Sequence, residues 1–318
     1  MILKVGVTGV GGGVGQSIIK ALQMSSLDIG IIAMDINNDS AGFYFDGIAR
    51  KQVLSNLKGK TYPAADWHTH AYGGDLDCII PGSDYDLEAL SNVRDEWGAV
   101  GCKVLVSDSD LVKTCEDKHI TAQVLKGYYI DAPETLYPNS HPCKFPVIVK
   151  PRIGSGSRGV VKIDNVEDLR REYKEGYMVQ EYLDGPEYTC SVFVDRHGEV
   201  IGTFQLKREL NNGTTYKGGV CFDRDIHKLL VRIGKSFKPR GMLNVQLRMT
   251  ERGPVPFELN CRCSGTTAIR AHFGYNEPEL LIRNYVFGEQ LRTPKIKQGK
   301  AFRYWNETYM DKGITIDY

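Results

Sequence analysis

Gly241-Met242-Leu243-Asn244-Val245-Gln246-Leu247-Arg248-Met249, Glu251-Arg252-Gly253 and Pro254-Val255-Pro256-Phe257-Glu258-Leu259-Asn260-Cys261 follow one another along the chain. Two alternating runs flank a glycine-containing turn, which predicts a β-hairpin. Counting back from a turn centred on Arg252 sets Gln246 opposite Glu258 and Asn244 opposite Asn260. Residues two apart on a strand share a face, so these four side chains form one patch of oxygen donors. Leu243, Val245, Leu247 and Phe257 make the reverse face apolar, which argues against a simply solvated polar sheet. A carboxylate with amide oxygens suits a hard cation whose remaining ligands are phosphate oxygens. Arg262 continues the alternation and suits a phosphate gripped by two N–H groups.

Two upstream segments fit the same chemistry. Lys150-Pro151-Arg152-Ile153-Gly154-Ser155-Gly156-Ser157-Arg158-Gly159 joins two apolar runs. Its backbone N–H groups, at Ser155, Gly156, Ser157 and Gly159 among others, can fold over phosphates, although it lacks the Gly-Lys-Ser/Thr of a Walker loop. Lys150 ends an apolar strand, and a buried-leaning ammonium needs an anionic partner. In Gln180-Glu181-Tyr182-Leu183-Asp184-Gly185-Pro186-Glu187 a strand ends, turns and restarts with an acid. Such a chain edge can bind adenine through backbone groups, with Glu187 on ribose hydroxyls.

The rest of the chain supplies a setting for these segments. Leu3–Thr8, Ile29–Asp35, Asp77–Pro81 and Lys103–Ser107 read as strands alternating with helices at Val14–Met24 and Leu87–Glu96, a doubly wound parallel sheet. A second unit opens near Leu111 with a helix over Cys115–Lys126 and a small α/β pattern, and from Glu187 the pattern becomes antiparallel. The expected units are 1–110, 111–185 and 186–318.

Gly9-Val10-Gly11-Gly12-Gly13-Val14-Gly15 lies between a strand and a helix, and Asp35 ends the next strand. That is dinucleotide-binding logic. The glycine spacing is that of short-chain dehydrogenases, yet their Tyr-x-x-x-Lys pair is absent. Glycines that let a helix pack close to a strand are the preferred explanation.

Bulk properties exclude several classes. The chain has 318 residues, 25% of them charged, with a net charge of +1, so there is no electrostatic case for nucleic acid or an anionic membrane. No targeting segment or bilayer-length apolar run is evident. The eight cysteines include no Cys-x-x-Cys pair and read as reduced thiols of a cytoplasmic protein.

Taken in order, these segments resemble the ATP-grasp superfamily, with closest similarity to the synthetase units of the carbamoyl phosphate synthetase large subunit and to short stand-alone proteins related to it. The resemblance covers nearly the whole chain. It implies an α/β architecture: a Rossmann-like pre-ATP-grasp domain, then an ATP-grasp fold of two α+β subdomains with ATP between them. It implies that Lys118 of Asp117-Lys118 and Lys150 contact phosphate. Gln180 to Leu183 (Glu181, Tyr182 and Leu183 included) would form the adenine hinge, and Glu187 the ribose acid. Gln246, Glu258 and Asn260 would be magnesium ligands, with manganese an acceptable substitute, and Arg262 would sit at the transferring phosphate. The chain departs from the synthetases in being too short for two synthetase halves, in lacking a glutaminase or allosteric domain, and in reading Asn-Cys-Arg where they usually read Asn-Pro-Arg.

The activity so implied is an ATP- and Mg-dependent carboxylate–amine ligase that proceeds through an acyl phosphate, with Arg262 and Lys150 as catalytic residues. A kinase-like partial synthetase acting on a small carboxylate or carbamate is one alternative, and a nicotinamide-dependent oxidoreductase using the N-terminal glycine loop is another. Expected partners are small-molecule carboxylates and amines; a homodimer is left open. Acceptor candidates are Arg208 to Thr215, Arg270 and His272, the last read more readily as an ordinary surface histidine. His68 and His70 receive no role. Tyr304 and Trp305 are expected to pack onto the body.

Overall fold

The computed structural model describes residues 2–54, 76–136 and 144–309; His68 and His70 lie outside them. Strands β1 (Leu3–Val7), β2 (Ile29–Asp35), β3 (Ile48–Val53), β4 (Cys78–Ile80) and β5 (Lys103–Val104) form a parallel sheet in the order β3-β2-β1-β4-β5. The strand order reverses between β1 and β4. Helix α1 (Gly13–Gln23) follows β1, and α2 (Asp84–Ala99) follows β4. Val5, Val7, Ile18, Ile31 and Ile80 are fully or almost fully buried among them.

Packing explains Gly15 of the N-terminal glycine run. A Cβ on Gly15 would lie 2.4 Å from the carbonyl oxygen of Gly9, so only glycine lets α1 start this close to β1. The Asp35 carboxylate accepts from the backbone N–H of Gly11 at 2.7 Å and of Asn37 at 2.9 Å. The acid that a dinucleotide reading assigns to ribose is thus bonded to its own loop.

The expected helix over Cys115–Lys126 is broken in two, α3 (Ser109–Glu116) and α4 (Lys118–Gly127). Asp117 between them is extended, and its carboxylate caps α4 by accepting from His119 N and Ile120 N. Such a cap stabilises a helix by about 1 kcal/mol. Arg152 pairs with the same carboxylate at 2.5 Å. Burial alone would raise the Asp117 carboxyl, but Arg152 and the two N–H groups outweigh it and hold it low.

A four-stranded antiparallel sheet follows: β6 (Thr135–Leu136), β7 (Val147–Pro151), β8 (Val161–Ile163) and β9 (Tyr177–Glu181), ordered β6-β9-β7-β8, with α5 (Val166–Glu172) leading into β9. A six-stranded antiparallel sheet comes next: β10 (Glu187–Val194), β11 (Val200–Asn211), β12 (Thr214–Val220), β13 (Gly241–Thr250), β14 (Gly253–Asn260) and β15 (Lys300–Phe302), in the order β14-β13-β10-β11-β12-β15. Helix α6 (Arg224–Phe237) packs on β10 and β11 through Ile226, Leu230 and Ile233, spaced for one helical face. Short helices α7 (Thr267–His272) and α8 (Glu277–Leu281) follow β14.

Three expectations need correction. Arg208 to Thr215 is not a polar loop but the closing end of the β11–β12 hairpin. Tyr304 and Trp305 do not pack onto the body; they are 84% and 95% exposed, while it is Arg303 that is held, its guanidinium donating to Gly265 O and its N–H to Tyr216 O. Phe257 is not on the buried reverse face, because a bulge in β14 turns it into the cleft described next. Among the described residues, no helix is long and apolar enough to cross a membrane.

Candidate active site

A cleft of about 220 Å³ lies between the four-stranded and six-stranded sheets. Lys118, Lys150, Ser155, Gly156, Ser157, Glu181, Tyr182, Leu183, Glu187, Gln246 and Glu258 all line it. The four-stranded sheet contributes Lys150 from the end of β7 and the chain edge after β9. The six-stranded sheet contributes Glu187 at the start of β10 and the β13–β14 hairpin. Three anticipated residues stand off this cleft. Gly159 lies at the base of the glycine loop, its missing Cβ position 2.7 Å from the Tyr177 hydroxyl. Asn260 touches the cleft through Glu258, and Arg262 lies beyond it.

The hairpin register is Asn244 to Asn260 and Gln246 to Glu258. Glu258 Oε1 accepts from Gln246 Nε2 at 3.0 Å and from Asn260 Nδ2 at 3.1 Å. Asn244 is different: it is 1% exposed, and its Oδ1 accepts from Arg270 at 2.6 Å and from Thr189 at 3.0 Å. It belongs to the core and not to an open donor patch. The remaining group of one carboxylate and two amides, all within hydrogen-bond reach, is chemically suited to a hard cation that draws further oxygens from phosphate. Among the described residues there is no cluster of three or more His, Cys, Asp or Glu that would compete as a metal centre.

Lys150 is 5% exposed, and burial pushes its ammonium down to about 8 from an ordinary 10.5. The negative charge of Glu258 opposes that shift, and the Lys118 charge adds to it. Lys118, at the first position of α4, donates 2.6 Å to the carbonyl oxygen of Gly154 and so anchors the glycine loop. The far side of that loop meets the β11–β12 turn. Gly213 sits there at φ +72°, and a Cβ on it would lie 2.3 Å from Gly156 O.

Glu187 is held by two arginines. Its Oε1 accepts from Arg208 at 2.7 and 3.0 Å, and its Oε2 from Arg248 at 3.0 Å. Arg208 also donates 2.7 Å to Gln246 Oε1, so one guanidinium ties the expected ribose acid to the expected metal ligand. From the sequence Arg208 falls only in an acceptor loop and Arg248 has no part. Their strand positions, one residue type repeating on the same face as Gln246, were the available signal. Glu181 is turned to Arg252 at 2.8 Å and to Glu134 N, which outweigh burial and hold its carboxyl low; its share of the cleft wall is at the chain edge with Tyr182 and Leu183.

Neither remaining acceptor candidate opens onto the cleft. Arg270 is fully buried and pairs with Glu277 at 2.7 Å. His272 is exposed, edge-on to Phe273.

A parallel-sheet unit followed by two sheets that enclose lysines, a glycine loop and a carboxylate–amide hairpin defines the class. The chain's similarities in sequence and fold support an ATP-grasp superfamily protein. Residues 174–308 match the family model described as ATP-grasp in the biosynthetic pathway with Ter operon. The alpha-aminoadipate–LysW ligase LysX of Saccharolobus solfataricus is 24% identical over 156 residues, 42% of this chain and 56% of that one. A D-alanine–D-alanine ligase of Pseudothermotoga lettingae is 32% identical over 139 residues, 40% of this chain and 44% of that one. The chain spans about half the length of the curated relatives it matches. Among solved structures, the L-amino acid ligase from Bacillus licheniformis superposes with a TM-score of 0.71 at 12% identity, covering 89% of this chain and 74% of that one; this likeness is one of fold.

Proposed function

We propose that the chain is an ADP-forming ligase that joins a carboxylate to an amine. The observation that carries this reading is the pairing of Gln246 with Glu258, beside Asn260, in the same cleft as the buried Lys150 and the glycine loop. The similarity to relatives named alpha-aminoadipate–LysW ligase and D-alanine–D-alanine ligase supports the class of substrate.

In this reading adenine lies along the chain edge at Glu181, Tyr182 and Leu183, and the ribose hydroxyls face Glu187. Lys118, Lys150 and the N–H groups of Ser155, Gly156, Ser157 and Gly159 receive the phosphates. Gln246, Glu258 and Asn260 would hold magnesium, which when bound neutralises charge on the phosphoryl oxygens. An oxygen of the substrate carboxylate attacks the γ-phosphorus, the bond to the ADP oxygen breaks, and an acyl phosphate forms. The amine then attacks the acyl carbon, phosphate leaves, and the nitrogen releases a proton. Lys150 and Arg262 stabilise the spreading negative charge in the first step, the effect that dominates phosphoryl transfer. The glycine loop, anchored by Lys118 and met by the β11–β12 turn, keeps water from the acyl phosphate.

The test is a screen for ADP release, with magnesium, ATP and amino acids offered singly and in pairs. A pair that stimulates ADP formation and yields an amide of the two supports the reading. If ATP does not bind and no pair stimulates turnover, the reading is wrong.

A further inference from the structure

Arg262 lies two residues beyond the cation-suited hairpin, and its side chain is 9% exposed. Its nearest charged partner comes from another part of the chain. Nε donates 2.6 Å to Asp84 Oδ1 and Nη2 donates 3.0 Å to Asp84 Oδ2, a two-point pair across 178 residues of sequence. Nη1 donates 3.0 Å to the carbonyl oxygen of Cys263. Three of the five guanidinium N–H groups are thereby fixed, which sets both the plane and the rotation of the fork.

Asp84 is itself held. It is the first residue of α2, and the preceding Ser83 caps that helix by accepting from Tyr85 N. A carboxylate at a helix N-terminus is favoured by the helix dipole. The α2 start follows β4, on the side of the first sheet where the strand order reverses. The Asp84 side chain is 36% exposed, against 9% for Arg262, so the acid is the water-facing end of the pair and the arginine the buried end.

We infer that Asp84 is the positioning residue for Arg262, through which the N-terminal parallel-sheet unit becomes part of the phosphoryl-transfer site. This rests on the ligase reading above. Asp84 holds the Nε–Nη2 edge and Cys263 O holds Nη1. One N–H on Nη1 and one on Nη2 remain for the oxyanion that Arg262 stabilises. The parallel-sheet unit is therefore required for the chemical step as well as for stability.

The experiment is a double-mutant cycle on the full chain, using a substrate pair found in the ADP-release screen. Asp84→Asn keeps the shape of the side chain and removes its charge. It is expected to lower kcat by roughly 10²-fold, the size of effect that about 1 Å of misplacement produces. The KM for ATP and the Kd for ADP should be unchanged. Arg262→Ala should lower kcat at least as far, and Asp84→Asn made in that background should add no further loss. A wild-type kcat in Asp84→Asn overturns the proposal. So does a loss that multiplies with that of Arg262→Ala, because Asp84 would then act by itself. A matched fall in kcat and ATP affinity, with a lowered melting temperature, shows general damage and also overturns it. Failure of the wild-type chain to bind ATP is a separate outcome and defeats the ligase reading itself.

Discussion

Arg208 Nη2 lies 2.7 Å from Gln246 Oε1. A fixed positive charge therefore sits on an oxygen that the ligase reading gives to magnesium. The same guanidinium reaches Glu187, so in that reading it links the nucleotide end of the cleft to the cation end. Cation and guanidinium repel one another at this distance. Arg208→Ala should tighten magnesium at Gln246 and Glu258 by about tenfold, which corresponds to ~1.4 kcal/mol. The KM for ATP should rise, since Glu187 keeps only Arg248 of the two arginines that fix it. Magnesium titration of ADP formation, at saturating and limiting ATP, reads both effects. A variant whose magnesium requirement rises would show that Arg208 supports the cation site.

Glu258 supplies the one carboxylate of that site, and both neighbouring amides lean on it. Glu258→Gln keeps the shape and removes the charge. ATP turnover should fall by about 10²- to 10³-fold or more, the range seen when a preorganised electrostatic contact is lost. ADP binding without magnesium should survive, as should the melting temperature. A nicotinamide-dependent enzyme would be nearly indifferent to this change.

How Glu258 comes to face Gln246 shows what the sequence could and could not carry. Counting from a turn centred on Arg252 gives the correct pairs, but through two errors that cancel. The turn is Glu251-Arg252, closed by Thr250 opposite Gly253, which alone would shift every pair by one. A bulge at Phe257 shifts the register back, so Leu247 faces Pro256 while Gln246 faces Glu258. Periodicity reports which residues alternate; it is silent on an inserted residue. The parallel sheet was legible because βαβ alternation is local. The break at Asp117 was not, because an extended residue between two helices is dictated by Arg152, 35 positions away. Asp84 and Arg248 carry no sequence assignment, and Arg208 falls only in an acceptor loop, for the same reason: their partners are set by tertiary packing.

Lys150 gives the site a pH dependence. Its ammonium is lowered to about 8 by burial. In the free protein it is charged below that value and neutral above it. The kcat/KM for ATP should therefore fall on an alkaline limb centred near pH 8. Lys150→Arg, which keeps its charge, should move the limb upward. The stability effect has the opposite sign. The unfolded chain holds this proton up to its ordinary 10.5, so between about 8 and 10.5 the unfolded state binds more protons, and Lys150's contribution to stability rises with pH. Urea melts of the nucleotide-free protein across that interval measure it, with Lys150→Met as the control that lacks the titration.

Gly213 and Gly156 join the two halves of the roof over the cleft. Ala at position 213 must adopt φ +72° and must clear a carbonyl oxygen only 2.3 Å from its Cβ. The left-handed conformation costs roughly 1–2 kcal/mol for a non-glycine residue, and the clash pushes the turn away from the glycine loop. In the ligase reading water then gains access to the acyl phosphate. The expected result is ATP hydrolysis in the presence of the carboxylate alone, with less amide formed per ADP. Product ratios for wild type and Gly213→Ala check it; an unchanged ratio would show that the contact does not close the site.

The pair Arg270–Glu277 carries the core beneath the hairpin. Both side chains are fully buried, and Glu277 also accepts from Ser191 at 2.5 Å and Thr267 at 2.8 Å. Arg270 continues the network to Asn244 and Cys190 O. Removing one partner strands the other charge in the interior, which costs about 3–5 kcal/mol. Arg270→Met should lower stability by that amount in urea melts. Arg270→Met with Glu277→Gln should recover part of the loss, because no unpaired charge is left. The recovery decides between two accounts. If the double variant is as unstable as the single, the defect is the lost bridge to Asn244 and β10, and the register of Gln246 with Glu258 should loosen with it. If stability returns while ADP formation stays intact, the pair is an electrostatic unit of the core that the active site does not need.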